Sequence, residues 1–463
     1  MSDYMNLFRT KSVESIEMNS GQLKRCLTAW DVTFLGIGAI IGAGIFVLTG
    51  VVAATSAGPA IILSYVMAGL ACVFVALSYA ELSASIGGCG SAYGYAYAGL
   101  GELIAWIIGW DLLLEYGLGI STVAVGWSGY VESAFASMGI TLPTALVNSP
   151  FEGGIIDLPA MLIILLLAGL LCLGTRESSR FNTGIVFIKL LAIAVFIGVA
   201  VFHVDTQNWK VFMPFGWDGM MRGAALVFFA YIGFDAVSTA AEETINPQRN
   251  LPIGIIASLL FCTIIYIVVS ALLTLVVPYT SLNVSSPVAS ALLLLQQPLA
   301  AGLISAGAIA GLTTVMLVLY FGFSRIFLAI SRDGLLPARF AKINPKTQTP
   351  VSIILGSGVI MAITAGLTPI NELAELVNIG TLAAFVLVCA GVIALRITKP
   401  DMPRPFKLSW HPVIPVLGII FCLALMFSLP ATTWFRFLIW MIAGFVIYAV
   451  YGYKHSKIGQ TEK

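Results

Sequence analysis

The chain has 463 residues, 59% of them hydrophobic and 10% charged, with a mean hydropathy of +0.99. Soluble domains carry roughly 25% charged residues, so the composition excludes an ordinary soluble protein and specifies one that crosses a membrane many times. A net charge of +1 excludes bulk electrostatic attraction to nucleic acid.

Residues 1–29 are polar, without the short apolar core and small-residue cleavage site of a signal peptide, and read as a cytoplasmic tail. A spanning helix needs about 20 apolar residues. Twelve stretches are expected to span, near 30–52, 59–82, 102–130, 157–174, 183–202, 222–242, 252–277, 300–330, 351–366, 373–395, 413–429 and 434–453. The ninth and eleventh are short, and the eighth is long enough to tilt. The expected fold is therefore an all-α integral membrane protein with 12 transmembrane helices.

The first span is interrupted. Gly36, Gly38, Gly42 and Gly44 fall within nine positions of what should be a continuous helix. Glycine weakens a helix interior, and unwound backbone at membrane depth survives only against protein or a watery cavity. One reading is close packing, since Gly38 and Gly42 form a small-xxx-small pair. The other is a binding site at a broken helix, as secondary transporters use.

After the second span, Tyr93, Tyr95 and Tyr97 read as interfacial aromatic anchors. The third span carries Asp111 and Glu115, one turn apart on one face. Glu115 either lines a cavity and meets a substrate amine or a proton, or is a neutral structural acid clustered with Tyr116 or Ser121. In the fifth span Lys189 lies some six residues inside the helix, ~9 Å deep at ~1.5 Å per residue. It either snorkels to the interface or is a buried amine that exchanges a proton. Wedged near the unwound first span, it can also stand in for a sodium ion.

The sixth span holds Gly233 and Asp235 at mid-span, followed by Ser238 and Thr239. An intramembrane acid suggests function, and Asp235 also suits the N-cap of a second half-helix. Breaks in spans 1 and 6 are equivalent if residues 30–203 and 222–396 are repeats of five helices. Because the two spans enter from opposite sides, the repeats would be inverted, the pattern that marks a transporter site. Residues 412–453 would then be two accessory helices and 454–463 a cytoplasmic tail.

Helix ends set the chemistry. The amides of Ala43, Gly44 and Ile45 head the second half of span 1 and favour a carboxylate. The carbonyls of Phe229, Ala230 and Ile232 end the first half of span 6 and favour an ammonium. A ligand with both groups a few bonds apart is an α-amino acid, and Gly42 and Gly44 leave its approach to the backbone open.

Orientation follows from Lys and Arg in the loops. With both termini cytoplasmic, nineteen lie inside, three (Lys210, Arg222 and Arg436) lie outside, and Lys189 is within a span, which accounts for all 23. No G-x-x-x-x-G-K-[ST] occurs, so a gradient and not bound ATP must drive any transport. The seven cysteines are scattered without C-x-x-C, and the three histidines are far apart, so no metal or other cofactor is expected.

Gly36 to Phe46 with Thr49-Gly50 resembles the first-helix signature of the amino acid–polyamine–organocation superfamily. Within it the likeness is to the cationic amino acid transporter family in its shorter, bacterial 12-helix form. It extends through Leu114-Glu115-Tyr116, Val125 to Tyr130, Phe229 to Asp235, Glu242-Glu243-Thr244, Asn246 to Pro252, and Ser331 to Pro337. The resemblance implies the inverted five-plus-five fold with two extra helices, and amino acid uptake by alternating access. It implies a substrate carboxylate on the amides matching Ala43 and Gly44, an ammonium on carbonyls matching Ile40, Phe229, Ala230 and Ile232, and proton coupling through Lys189. Gly87-Gly88-Cys89-Gly90 departs from the family's usual loop, and Ala43 stands where a small hydroxyl residue is also common.

The expectation is a multi-pass permease of the plasma (cell inner) membrane, with an amino acid as substrate and a proton as coupling ion, and with no nucleic acid partner and the oligomeric state open. An exchanger or uniporter without proton coupling, or a membrane amino acid sensor, are the alternatives. A subunit of a disulfide-linked heteromer is disfavoured because the loop between spans 3 and 4 has no cysteine. An enzyme is disfavoured by the absence of a nucleophile–base pair.

Overall fold

The computed structural model describes residues 7, 9–11, 27–86, 92–173, 179–235, 237–238, 244–347 and 349–461. Among them the chain is helical, with only two isolated β-bridges, Leu27 with Thr244 and Val147 with Asp157. Seven helical stretches among the described residues are long and apolar enough to cross a bilayer: Gly44–Ile86, Glu102–Ala136, Gly184–His203, Pro247–Val276, Pro298–Arg332, Ile370–Thr398 and Ala431–His455. Four shorter apolar helices accompany them, Ala29–Ile40, Leu158–Cys172, Val351–Leu367 and Val413–Phe427.

Local chemistry sets most boundaries. Thr28 and Asp31 form a reciprocal capping box at the start of Ala29–Ile40. Asp157 caps Leu158–Cys172 by accepting from the Ala160 amide at 3.1 Å. Proline opens Pro247–Val276 and Pro298–Arg332, where its missing N–H costs nothing. Between the expected first and second spans the chain turns at Gly58, whose φ of +62° suits glycine, and Pro59 follows it. The third expected span runs on past residue 130 to Ser137, because nothing in that stretch breaks a helix.

The helix Glu102–Ser137 runs through the centre of the bundle, packed against Pro298–Arg332, Ile370–Thr398, Leu158–Cys172 and Val351–Leu367. Its first residue anchors one end of the molecule. Glu102 is fully buried and accepts from Arg9 Nε at 2.7 Å and Nη2 at 2.8 Å, from the Tyr97 hydroxyl at 3.0 Å and from the Tyr448 hydroxyl at 2.9 Å; Ser456 donates to it as well. A second buried acid, Glu81, receives a fork from Arg396 and the Leu408 amide at 2.8 Å. Both are carboxylates whose burial is matched by charged donors.

The three tyrosines after the second span are not interfacial anchors. They lie on the short helix Ala92–Gly99 and are buried, Tyr93 donating to Asp333 at 2.8 Å and Tyr97 to Glu102. Aromatic anchoring rests on position alone, whereas here the Tyr93 hydroxyl serves Asp333, 240 residues further on, and the Tyr97 hydroxyl serves Glu102, five residues further on. The loop 87–90 that departs from the family pattern lies outside the described residues.

Candidate functional site

Two interrupted helices cross at the centre of the molecule. In the first, Ala29–Ile40 stops, Ile41 is extended with φ −73° and ψ 101°, and the chain resumes at Gly44 as a π-helical turn, Gly44–Leu48, followed by Thr49–Val52. Ala43 precedes that turn and no side chain caps it. The leading amides of such a segment have no partner within it.

In the second, Gly216–Val227 tightens into a 3-10 turn, Phe228–Tyr231, and ends at Ile232, with φ −59° and ψ 133°. Gly233 has φ +113°, a conformation that a residue with a β-carbon rarely adopts. The half-helix that Asp235 was expected to cap, with Thr239, Glu242 and Glu243, falls largely outside the described residues. The carboxylate of Asp235 itself accepts from the Tyr116 hydroxyl at 3.2 Å.

The breaks touch. A β-carbon on Gly44 would overlap the Ala230 backbone, and one on Gly233 would lie 3.0 Å from the Ala39 carbonyl oxygen. One on Gly42 would meet Val315 at 3.4 Å. The structure thus brings Ile40, Gly42, Ala43, Gly44, Phe229, Ala230, Ile232 and Gly233 to one place.

It also supplies partners that the sequence did not disclose. The Tyr266 hydroxyl lies 2.9 Å from both the Ile40 and the Ala230 carbonyl oxygens. The Phe229 carbonyl accepts from the Ile232 amide at 3.2 Å. Three of the acceptors expected to be vacant for an ammonium are therefore engaged, because helix-end carbonyls buried in protein find the nearest donor. On the other half, Thr49 Oγ1 donates to the Gly44 carbonyl at 3.0 Å, the Tyr65 hydroxyl lies 3.3 Å from it, and Tyr130 donates to the Phe46 carbonyl at 2.7 Å. Tyr65, Tyr231 and Tyr266 pack ring on ring beside the crossing. The available signal was three tyrosines within apolar stretches, since a buried tyrosine hydroxyl usually seeks a partner.

Lys189 does not snorkel. It is 1% exposed, and its ammonium donates to the Gly38 carbonyl at 2.9 Å and the Ile41 carbonyl at 3.2 Å. The amine therefore sits at the C-terminal end of the first half-helix, where the dipole favours a cation. A β-carbon on Gly311 would press into its methylenes, so that glycine makes room for the lysine stem.

Glu115 is buried, with Asp235 just past the second break, Asp111 and Thr381 among its neighbours. The expected cluster with Tyr116 or Ser121 does not form. Tyr116 donates to Asp235, while Ser121 donates to the Met361 carbonyl at 3.0 Å. On a helix Tyr116 points about 100° away from its neighbour Glu115, which is why adjacency in sequence misled. Asp111 and Glu115 have no hydrogen-bond partner for their carboxyl oxygens among the described residues. No cluster of three or more His, Cys, Asp or Glu suited to a metal occurs among the described residues.

An apolar helical bundle whose two broken helices meet backbone to backbone, with a buried lysine on one helix end, is the framework of a membrane transporter. The comparisons with known proteins agree with this class. The profile of the amino acid permease family matches residues 27–456, and the chain belongs to that family. It is 51% identical to the branched-chain amino acid permease BcaP of Bacillus subtilis (strain 168), over 98% of this chain and 99% of that protein. It is 48% identical to the methylthioribose transporter of the same organism, over 98% and 100%. It is also 40% identical to the vacuolar cationic amino acid transporter 4 of Arabidopsis thaliana, over 86% of this chain and 68% of that one. The relatives are permeases and transporters, and the protein is a membrane-embedded permease.

Proposed function

We propose that the protein carries amino acids across the plasma membrane by alternating access, in symport with protons. The observation that carries the reading is the contact of the two breaks, Gly44 against Ala230 and Gly233 against Ala39. It puts amide donors at Ala43, Gly44 and Ile45 beside carbonyl acceptors at Ile40, Phe229, Ala230 and Ile232. An α-amino acid between them places its carboxylate on the amides and its ammonium on the carbonyls. With the crossing closed, the Tyr266 hydroxyl occupies the Ile40 and Ala230 acceptors. Substrate entry then requires the breaks to part and the ammonium to replace that hydroxyl.

Within the same proposal, residues 30–203 and 222–396 are inverted halves of a twelve-span fold, 412–453 are accessory helices, and both termini face the cytoplasm. Support comes from the position of the breaks, one in the first helix of each half, and from the 19-to-3 distribution of basic residues. Coupling resides in Lys189. Its ammonium bonds two carbonyls at the end of the first half-helix, where a transported sodium ion would otherwise have to sit. Loss of its proton would release that helix end.

The name of the 51% identical relative and the apolar side chains beside Gly42 and Gly126, namely Val315, Val47 and Ile370, favour a branched aliphatic amino acid. The test is uptake into proteoliposomes of purified protein. Labelled leucine should accumulate under an inward proton gradient without sodium, and unlabelled valine and isoleucine should compete. A requirement for sodium, accumulation only against internal amino acid, or competition by methylthioribose alone would each overturn the corresponding part of the proposal.

A further inference from the structure

The helix Ile370–Thr398 runs alongside the second broken helix and touches it on both sides of the break. Arg222 Nη2 lies 3.8 Å from Glu375, which also accepts from Thr433 at 2.6 Å. One turn further along both helices, Asn378 Nδ2 donates to the Ala225 carbonyl at 2.8 Å and to the Leu226 carbonyl at 3.0 Å. Beyond these, the Phe385 ring packs against Phe228 before the break and Phe234 after it, with ring centres 5.9 and 5.3 Å away.

Asn378 differs from the other contacts because it is fully buried and takes backbone as its partner. Two carbonyl acceptors fix the orientation of its amide, since only Nδ2 carries hydrogens. Its Oδ1 is then left without a donor among the described residues. Burying an unmet acceptor is unfavourable, so packing does not account for an amide here, whereas its two N–H groups do. They answer a need of the backbone. Gly216–Val227 is α-helical and Phe228–Tyr231 is a 3-10 turn. An α-helix bonds the carbonyl of residue i to the amide of i+4, and a 3-10 turn bonds it to i+3. Where the first passes into the second, one carbonyl is left without an amide. That junction falls at Ala225 and Leu226, whose α-helical partners would be the amides of Phe229 and Ala230, within the turn. Asn378 supplies the missing donor from outside the helix.

We propose that Asn378 is a positioning residue for the substrate ammonium: its amide holds the 3-10 turn that presents the Phe229, Ala230 and Ile232 carbonyls to the crossing. The inference rests on the amino acid site proposed above. Without the side-chain donor the junction relaxes toward α-helical bonding, and the three carbonyls turn away from the direction in which an ammonium meets them. The amides of the first break, at Ala43, Gly44 and Ile45, lie on another element and keep their geometry.

The experiment uses the full chain, purified, with leucine as the probe. In Asn378→Leu, which keeps the bulk and removes both donors, leucine should bind about tenfold more weakly, equivalent to ~1.4 kcal/mol. Hydrogen exchange of the substrate-free protein should quicken at the amides of residues 229–232 and stay as in the parent at residues 43–49, a difference that general loss of stability would not produce. Asn378→Ser keeps one donor and should weaken leucine about threefold, and it carries the test if Asn378→Leu does not fold. Unchanged leucine affinity in the variant, or exchange that quickens equally at both breaks, would overturn the positioning role. A parent protein that binds neither leucine nor any other common amino acid would instead overturn the proposed site itself, and this inference with it.

Discussion

Gly44 lies so close to Ala230 that a β-carbon on the glycine would overlap the alanine backbone. This contact joins the second half of one broken helix to the end of another, more than 180 residues later in the chain. Such an approach is open only to glycine, and so the contact dictates the first test. Gly44→Val should abolish amino acid binding, because three added carbons fill the space between the amides and the carbonyls. Overpacking should also destabilise the protein by ~1–3 kcal/mol. Substrate-induced shifts in melting temperature separate the two effects: the variant melts at a lower temperature and shows no shift, whereas an unchanged shift would remove Gly44 from the site.

Lys189 gives the second prediction. Its ammonium ties the Gly38 and Ile41 carbonyls to the fifth expected span. Lys189→Ala removes that ammonium while leaving the crossing itself in place. Uptake by the variant should lose its dependence on the proton gradient, and exchange of internal for external amino acid should continue. Gradient-driven accumulation at the normal level in the Lys189→Ala protein would make the lysine purely structural.

The two breaks were legible in the sequence because glycine and a mid-span acid are anomalies in an apolar helix. Lys189 was legible for the same reason, although its partners were not. The carbonyl partners of Tyr266 and the four donors on Glu102 escaped the sequence reading. Tyr266 joins Ile40 to Ala230, across sequence separations of 226 and 36 residues, and no periodicity in one helix encodes such a meeting. Neither Glu102 nor Arg9 stands out in the sequence, since without the tertiary fold they would be a charge at a helix start and a charge in the tail. Helix limits differ from the expected spans mainly where hydropathy and backbone geometry part company, as at Ser137, where the helix continues beyond its apolar stretch.

Tyr266 yields a prediction with opposite signs in two measurements. In Tyr266→Phe the Ile40 and Ala230 carbonyls lose their hydroxyl partner in the closed, substrate-free crossing. Each unsatisfied buried group costs ~1–3 kcal/mol, so the substrate-free protein should melt at a lower temperature than the parent. If the substrate ammonium takes the place of the hydroxyl, the bound state does not share that cost. The stabilisation on adding substrate should then be larger in the variant than in the parent. A smaller shift would mean that Tyr266 holds the bound crossing together and is not displaced.

The Arg9–Glu102 pair supplies a test of stability independent of transport chemistry. Glu102 is fully buried, and the Arg9 side chain is only 6% exposed. The N-terminal segment is held here at both backbone and side chain, since the Glu102 amide donates to the Arg9 carbonyl at 3.0 Å and the Lys11 amide to the Tyr97 carbonyl at 3.0 Å. Removing one partner of a buried pair leaves an uncompensated charge and costs ~3–5 kcal/mol. The cost in Arg9→Ala should fall at the low end of that range, because Tyr97, Tyr448 and Ser456 still donate to Glu102. Arg9→Ala with Glu102→Gln should recover part of the loss, since the buried group is then neutral. Denaturation of the two variants in detergent checks this directly. Equal stability of Arg9→Ala and the parent would show that the three hydroxyls alone satisfy Glu102 and that the N-terminal segment is not part of the folded core.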